Sequence, residues 1–304
     1  MIFEGSYDVF IALKEKKRLM EAGEAHDHIR PLILFGGGLM KGVYGVGAAL
    51  ALEELGYTDC FEVIVGVSSG APTAAHFASA SVVKGQRLVS EEYCNPRFYQ
   101  WWRLFNQVDT EFFMDALKKD PEKRVDVEAA VANPAELYFG VSEYETGLPK
   151  LLSAEDKELF FDSMHASLTM QNVSRHRTYI DGVLYTDGGF TKPHVISETF
   201  ARFKDRCTHF LIITNNDRDF IPISIAERIL NRTVFRIRLN GAITAAINSR
   251  REERDKALEQ LRGSDIPSAL VWGDGSVKST EQNPDRVRAT VESSRIWWHG
   301  LLAE

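Results

Sequence analysis

Val63-Ile64-Val65-Gly66-Val67-Ser68-Ser69-Gly70-Ala71 joins a β-branched run to a run of small residues through two glycines and two serines. The β-branched residues Val63 to Val65 predict a buried strand that ends at Gly66. The run from Ala71 to Ala80 predicts a helix. Gly66-x-Ser68-x-Gly70 therefore falls on a strand-to-helix turn, the context a nucleophile elbow requires. Glycines on both flanks keep Cβ atoms out of the turn, and the Ser68 hydroxyl is held forward. The first N–H groups of the helix aim where negative charge would collect. In an ordinary Gly/Ser-rich loop the same five residues would carry no meaning. The flanking strand and helix give them their weight.

The preceding unit has the same order. Pro31 to Phe35 is a short apolar strand that runs into Gly36-Gly37-Gly38-Leu39-Met40-Lys41-Gly42. Beyond it Val43, Val46, Ala49, Leu50 and Leu55 lie mostly on one helical face, and Gly56 closes the helix. Such a loop leaves backbone N–H groups converging, which suits an anion. Three readings compete. A phosphate-binding Walker loop needs Ser or Thr after its Gly-Lys pair; Gly42 and Val43 follow Lys41, which removes that reading. A dinucleotide loop needs a regular glycine spacing and an acidic residue about 20 residues on. Here the spacing is imperfect and only Asp59 and Glu62 could serve. The third reading is an oxyanion hole for a serine on the next strand, and the next strand carries Ser68.

Around this centre, Val9, Phe10, Leu13 and Leu19 predict a weakly amphipathic helix closed by Gly23, so residues 1–30 are expected to form a helical arm on the domain edge. His26 and His28 fit a solvated loop better than a metal site. Residues 81–135 hold Tyr93, Phe98, Tyr99, Trp101, Trp102, Phe105, Phe112 and Phe113. They form either an aromatic cap over an apolar channel or, the plainer reading that we favour, a helical layer with aromatics as core. Leu137, Phe139 and Val141 alternate with polar or small residues and predict a hairpin with Leu148 to Leu152. Ser153-Ala-Glu-Asp156 predicts an N-cap opening a helix through Phe161 and Met164. Asp181-Gly182, between Tyr179-Ile180 and Val183-Leu184-Tyr185, is a hairpin turn. Asp187-Gly188-Gly189 follows its second strand, where two glycines allow a sharp turn that fixes the carboxylate. Thr208 to Thr214 and Ser268 to Trp272 are buried strands, and the charged run Arg250 to Lys256 is the solvated face of a helix. A last helix starts near Asn283. Strands alternating with helices predict an α/β fold with a largely parallel sheet.

With 304 residues, 44% of them hydrophobic, the chain has ordinary globular composition. A net charge of −7 speaks against a nucleic-acid partner. Cys60, Cys94 and Cys207 show neither metal spacing nor a disulfide framework, which suits a reducing, cytoplasmic compartment. The first residues lack a basic stretch followed by an apolar run, so no signal peptide is expected. No stretch approaches the ~20 apolar residues of a transmembrane helix. Contact with lipid would be peripheral.

Glycine-rich loop, G-x-S-x-G and Asp-Gly-Gly, in this order and each after a strand, resemble the patatin-like phospholipase family of lipid acyl hydrolases. The resemblance runs from about Pro31 to Asn215. Lys41-Gly42-Val43-Tyr44-Gly45-Val46-Gly47 is similar to the family's oxyanion loop entering its first helix. Gly66 to Ala71 is similar to its elbow. His165 to Met170, then Tyr179 to Gly189, is similar to its approach to a catalytic aspartate. The resemblance implies a three-layer α/β/α fold over residues 31–304, a Ser68–Asp187 dyad without histidine, no cofactor and no metal, and a lipid or other acyl-ester substrate. Gly36, Lys41, Gly42, Gly66, Gly70, Gly188 and Gly189 would shape the motifs. Two departures stand out. Leu39 and Met40 separate Gly38 from Lys41 where the family has one residue, so either the loop carries an insertion or Leu39 stands where glycine is usual and presents the N–H donor; and Thr191-Lys192-Pro193 replaces the usual small polar residue and Asn before Pro.

The expected chemistry is attack by Ser68, proton transfer to Asp187, and stabilisation of the oxyanion by N–H groups of Gly37, Gly38, Leu39 and Ser69. A carboxylate of ordinary pKa is a weak base for serine, so the site must be partly dry. The first alternative is a patatin-like lipid- or partner-binding protein with little or no turnover. The second is a nucleotide-binding protein using Gly36 to Gly42. If a histidine served as base, His194 beside Pro193 would be the nearest to the motifs. The sequence leaves head group, chain length and oligomeric state open.

Overall fold

The computed structural model describes residues 1–103, 106–191, 195–218 and 239–303. Phe105, Lys192, Pro193 and His194 lie outside the described residues. Nine strands among the described residues form one sheet: β1 (Ile2–Gly5), β2 (Pro31–Phe35), β3 (Val63–Val67), β4 (Glu136–Glu143), β5 (Pro149–Ser153), β6 (Thr178–Ile180), β7 (Val183–Asp187), β8 (His209–Asp217) and β9 (Ser268–Gly273). The order is β1-β9-β8-β2-β3-β4-β7-β6, with β5 also paired to β4. The five strands from β9 to β4 are parallel to their neighbours. β1 closes one edge and β5 to β7 the other, all antiparallel.

The sheet is buried on both faces. Ile33, Phe35, Ile64, Leu211, Ile213, Ala269 and Val271 belong to one core. Their neighbours Leu32, Leu34, Val63, Val65, Phe210, Ile212, Leu270 and Trp272 belong to the other. Successive side chains on a strand point to opposite faces, so helices cover both, and the central strands read as unbroken apolar runs. The first core takes the helices Asp8–Ala22, Val43–Glu54, Gly70–Ala78 and Pro284–Ala303; the second takes Ile196–Phe203 and the end of Gly241–Arg262. This is the α/β architecture with a mostly parallel sheet that strand and helix alternation predicts.

Several elements differ from expectation. Before the first helix, Ile2–Gly5 pairs with β9 as an edge strand, so the opening segment joins the sheet as well as packing on it. The helix Val43–Glu54 is buried all round from Val43 to Leu52, not on one face. The final helix covers its outer side, where Ser294 donates to the Tyr44 carbonyl at 2.8 Å. The helix expected from Ser153 starts only at Phe160. The polar side chains make local turns instead: Ser153 Oγ accepts from Glu155 N–H, and Asp156 Oδ1 from Glu158 N–H at 2.9 Å. β3 runs on to Val67, and the elbow helix occupies Gly70–Ala78. Both hairpins form as expected. Asp181 and Gly182, at φ +50° and +77°, make the left-handed pair that a tight two-residue turn needs.

The aromatic segment divides. Tyr93, Phe98 and Phe113 are buried and lie against one another, with ring centroids 5.0–5.5 Å apart. Trp101 and Trp102 are exposed. Among the described residues no helix is long and apolar enough to cross a membrane.

Candidate active site

β4 acts as a ruler for the site. Val67, the last residue of β3, pairs with Gly140 of β4; Asp187, the last of β7, pairs with Val141. β5 pairs with β4 over Tyr138–Ser142, which overlaps both other ladders, and so holds the opposite edge. β3 and β7 thus meet end to end along one edge of β4. The residue after β3 is Ser68, and it arrives beside Asp187.

Ser68 sits at φ +54°, a left-handed conformation that a side chain rarely adopts. Several contacts hold it there. Its N–H donates to Ser167 Oγ at 2.9 Å, and Ser167 Oγ donates to the Gly140 carbonyl at 2.7 Å. Its carbonyl accepts from Ala71 N–H at 2.8 Å as the helix begins. Close approach makes two glycines necessary. A Cβ on Gly70 would lie 2.1 Å from the Phe35 carbonyl oxygen, and one on Gly37 would lie 2.7 Å from Ser68 Cβ. Gly66 is similarly tight against Ala71 and Ala74. The motif glycines let the elbow, its helix and the glycine-rich loop touch.

Asp187 is 2% exposed. The Ser68 side chain lies beside the carboxylate: a Cβ added at Gly189 would lie 3.3 Å from Asp187 Oδ1 and 3.9 Å from Ser68 Cβ. Oδ1 accepts from Gly189 N–H at 2.7 Å and Phe190 N–H at 3.1 Å, from the short helix Gly188–Thr191. Burial pushes this carboxyl up to about 6; the nearby Ser68 hydroxyl, the bonds from Phe190 and Gly189 N–H and the charge of Arg250 hold it from rising further. The site is dry enough to make the aspartate a better base than an exposed one.

The glycine-rich loop is held from the other side by the end of β8. Gly36 N–H donates to the Ile213 carbonyl at 2.7 Å, and Asn215 Nδ2 donates to the Gly36 carbonyl. Lys41, 5% exposed, pairs with Asp217 at 3.7 Å. Leu39 has φ +53°, in the left-handed region that favours glycine. Among the described residues the N–H groups of Gly38, Leu39 and Ser69 have no hydrogen-bond acceptor. Gly42 packs on Ser69 and Tyr93, and Gly188 on the β4 backbone at Gly140.

A cavity of about 310 Å³ lies over these groups. Leu39, Tyr99, Met170, Val173 and Phe190 give it apolar wall; Asn172, Asn216 and Arg250 give it polar wall. A larger groove, about 500 Å³, between Glu4–Ser6 and Leu261–Leu270 holds none of the motif residues. No described histidine lines the cavity. His76 is fully buried under Gly85 and bonds Ser81. His165 bonds Thr110 and stacks on His176. Burial holds both His76 and His165 down to about 3, so they are neutral.

The structure therefore brings together Ser68, Asp187, Gly37, Gly38, Leu39 and Ser69 from three separate stretches. Two neighbours escape the sequence reading. Ser167 is one; its only signal is the His165–Met170 stretch. Arg250 is the other: the charged run looked like a solvated face, and Glu252–Lys256 does form an exposed pair at 2.8 Å. Arg250 itself turns inward and donates to the Gly189 carbonyl at 2.9 Å. Nothing in the sequence distinguishes it from Arg251.

The sequence model of the patatin-like phospholipases matches residues 33–200. That is more than half of the chain, and the chain belongs to this family of lipid acyl hydrolases. No curated protein matches the sequence. Among solved structures, VipD from Legionella pneumophila is 12% identical, with 90% of this chain and 67% of that one covered and a TM-score of 0.45. A chain in the complex of full-length SpcU with full-length ExoU, from the type III secretion system of Pseudomonas aeruginosa, is 16% identical. There 90% of this chain and 52% of that one are covered, at a TM-score of 0.37, so this chain spans about half of that one.

Proposed function

We propose that this chain hydrolyses carboxylic esters of lipids, phospholipids or lysophospholipids among them, through a Ser68–Asp187 dyad. The observation that carries the proposal is Ser68, held in a left-handed turn, set beside a buried carboxylate fixed by two backbone N–H groups. Asp187 takes the Ser68 proton as Oγ attacks the ester carbonyl, then returns it to the leaving alcohol. N–H groups of Gly37, Gly38, Leu39 and Ser69 receive the oxyanion, with the N-terminus of the helix Gly70–Ala78 behind it. Water then attacks the acyl-enzyme, with Asp187 again as base, and releases the fatty acid. The apolar wall of Leu39, Met170, Val173 and Phe190 would take the acyl chain.

A fluorophosphonate probe tests the proposal. Wild-type protein should be labelled at Ser68, at a rate that rises with pH through a midpoint near the 6 of Asp187. Below the midpoint the rate should fall about tenfold per pH unit, because only ionised Asp187 accepts the proton. A folded protein that resists the probe, with and without lipid or detergent, would return the chain to the lipid-binding reading. Arg250→Met gives a second check. Its positive charge helps keep Asp187 ionised, so removing it should move the acid limb to higher pH. A limb that stays in place would separate Arg250 from the aspartate.

A further inference from the structure

We infer that Trp101 and Trp102 anchor the protein in a lipid bilayer, their side chains entering the interface beside the cavity mouth. The inference rests on the lipid-hydrolase reading for the purpose of the anchor, but its observations are separate from the dyad. Trp101 is 71% exposed and Trp102 63% exposed, with their rings perpendicular at 5.8 Å. Among the described residues no other two large exposed apolar side chains are neighbours in sequence. Two adjacent indoles in water are costly, and indole suits the boundary between head groups and acyl chains.

The loop is built to present them. Its base is clasped: Asp109 N–H donates to the Phe98 carbonyl at 2.8 Å, and Gln100 N–H to the Gln107 carbonyl at 2.9 Å. Phe98 is seated in the stack with Tyr93 and Phe113. Below the tip, Tyr99, Gln107 and Val108 line the cavity over Ser68. Some of the described backbone groups near the tip are already paired. Arg103 N–H donates to the Gln100 carbonyl, Asn106 N–H to the Arg103 carbonyl, and Gln107 Nε2 to the Trp101 carbonyl at 3.0 Å. Backbone groups left unpaired would resist transfer out of water, and these are paired before any lipid arrives. A lipid leaving the bilayer at this point would meet the cavity without crossing open water.

Charge does not supply the attraction. The chain carries a net −7, and Arg97 and Arg103 both lie within 4.0 Å of Asp109. Binding should therefore need no anionic lipid and survive high salt, where screening removes charge attraction between exposed groups.

The test is co-sedimentation with phosphatidylcholine vesicles, scored on the Ser68→Ala protein so that turnover plays no part. The protein should sediment at low and high salt alike. Its tryptophan emission should shift to shorter wavelength and be quenched by brominated phosphatidylcholine. Adding Trp101→Ala and Trp102→Ala should weaken vesicle binding about tenfold or more. In the Ser68-containing protein, the double variant should keep fluorophosphonate labelling and hydrolysis of a water-soluble short-chain ester, while losing hydrolysis of vesicle phospholipid. Vesicle binding unchanged in the double variant, no binding to phosphatidylcholine, or binding confined to anionic vesicles at low salt would each overturn the anchor. Labelling without vesicle binding removes the anchor and leaves the hydrolase. Vesicle binding without labelling does the reverse.

Discussion

Ser68→Gly should reduce ester hydrolysis by about 10⁴-fold or more, to background, and yet be more stable than Ser68→Ala. Loss of the nucleophile oxygen removes the covalent step. The stability order is the unusual part. Away from special turns, glycine is less stable than alanine, because it loses more backbone freedom on folding. Position 68 lies at φ +54°, where alanine carries the strain of a Cβ and glycine does not. The sign should reverse, with glycine ahead by about 1 kcal/mol. Both variants lack the hydroxyl that faces Asp187, so that loss cancels between them. Urea unfolding at one pH gives the comparison. Equal stability, or alanine ahead, would mean that the elbow stores no strain; turnover retained in either variant would remove Ser68 from the chemistry.

That strain was half visible in the sequence. Gly66-x-Ser68-x-Gly70 between a strand and a helix is a local pattern, and local patterns survive folding: β3, the turn and the helix Gly70–Ala78 all stand where the spelling put them, within two or three residues. The hairpin turn at Asp181-Gly182 was legible for the same reason, since both residues tolerate the left-handed region that the turn demands. What no local pattern holds is the pairing of β3 and β7 along one edge of β4. Ser68 and Asp187 meet through the registers Val67–Gly140 and Asp187–Val141, which are long-range contacts. Only the resemblance to a family joined the two residues beforehand. Ile2–Gly5 was missed because a four-residue edge strand is too short to show a period. Arg250 was missed because a charged helix face looks the same whether one of its arginines turns inward or none does. In the aromatic segment, composition could not separate Phe98 and Phe113, held in a stack, from Trp101 and Trp102, carried outward by a loop clasped beneath them.

Asp187→Asn should lower hydrolysis and fluorophosphonate labelling by about 10³- to 10⁴-fold, and should stabilise the fold at pH 8. The two effects share one cause. Asparagine nearly matches aspartate in shape, and its carbonyl oxygen can keep the bonds from Gly189 and Phe190 N–H. It cannot accept the Ser68 proton. The charge it removes is one that burial disfavours: the folded-state pKa is pushed up from 3.8 to about 6. A carboxyl with a raised folded pKa binds its proton more tightly in the folded state. Its contribution is most favourable below the unfolded value of 3.8, declines as pH rises, and has been lost once pH passes the folded value near 6. Above that the wild type bears a cost of up to about 3 kcal/mol for the buried charge, which the variant avoids. The variant's advantage should therefore be greatest at pH 7 to 8 and shrink between pH 6 and 4. Unfolding wild type and Asp187→Asn across that range measures it. A pH-independent difference would mean that Asp187 titrates normally in the fold, and a variant less stable at pH 8 would mean that its charge is compensated. Either result would weaken the case for a poised base, whereas a stability gain paired with lost turnover would show an aspartate kept at its position by chemistry and not by folding.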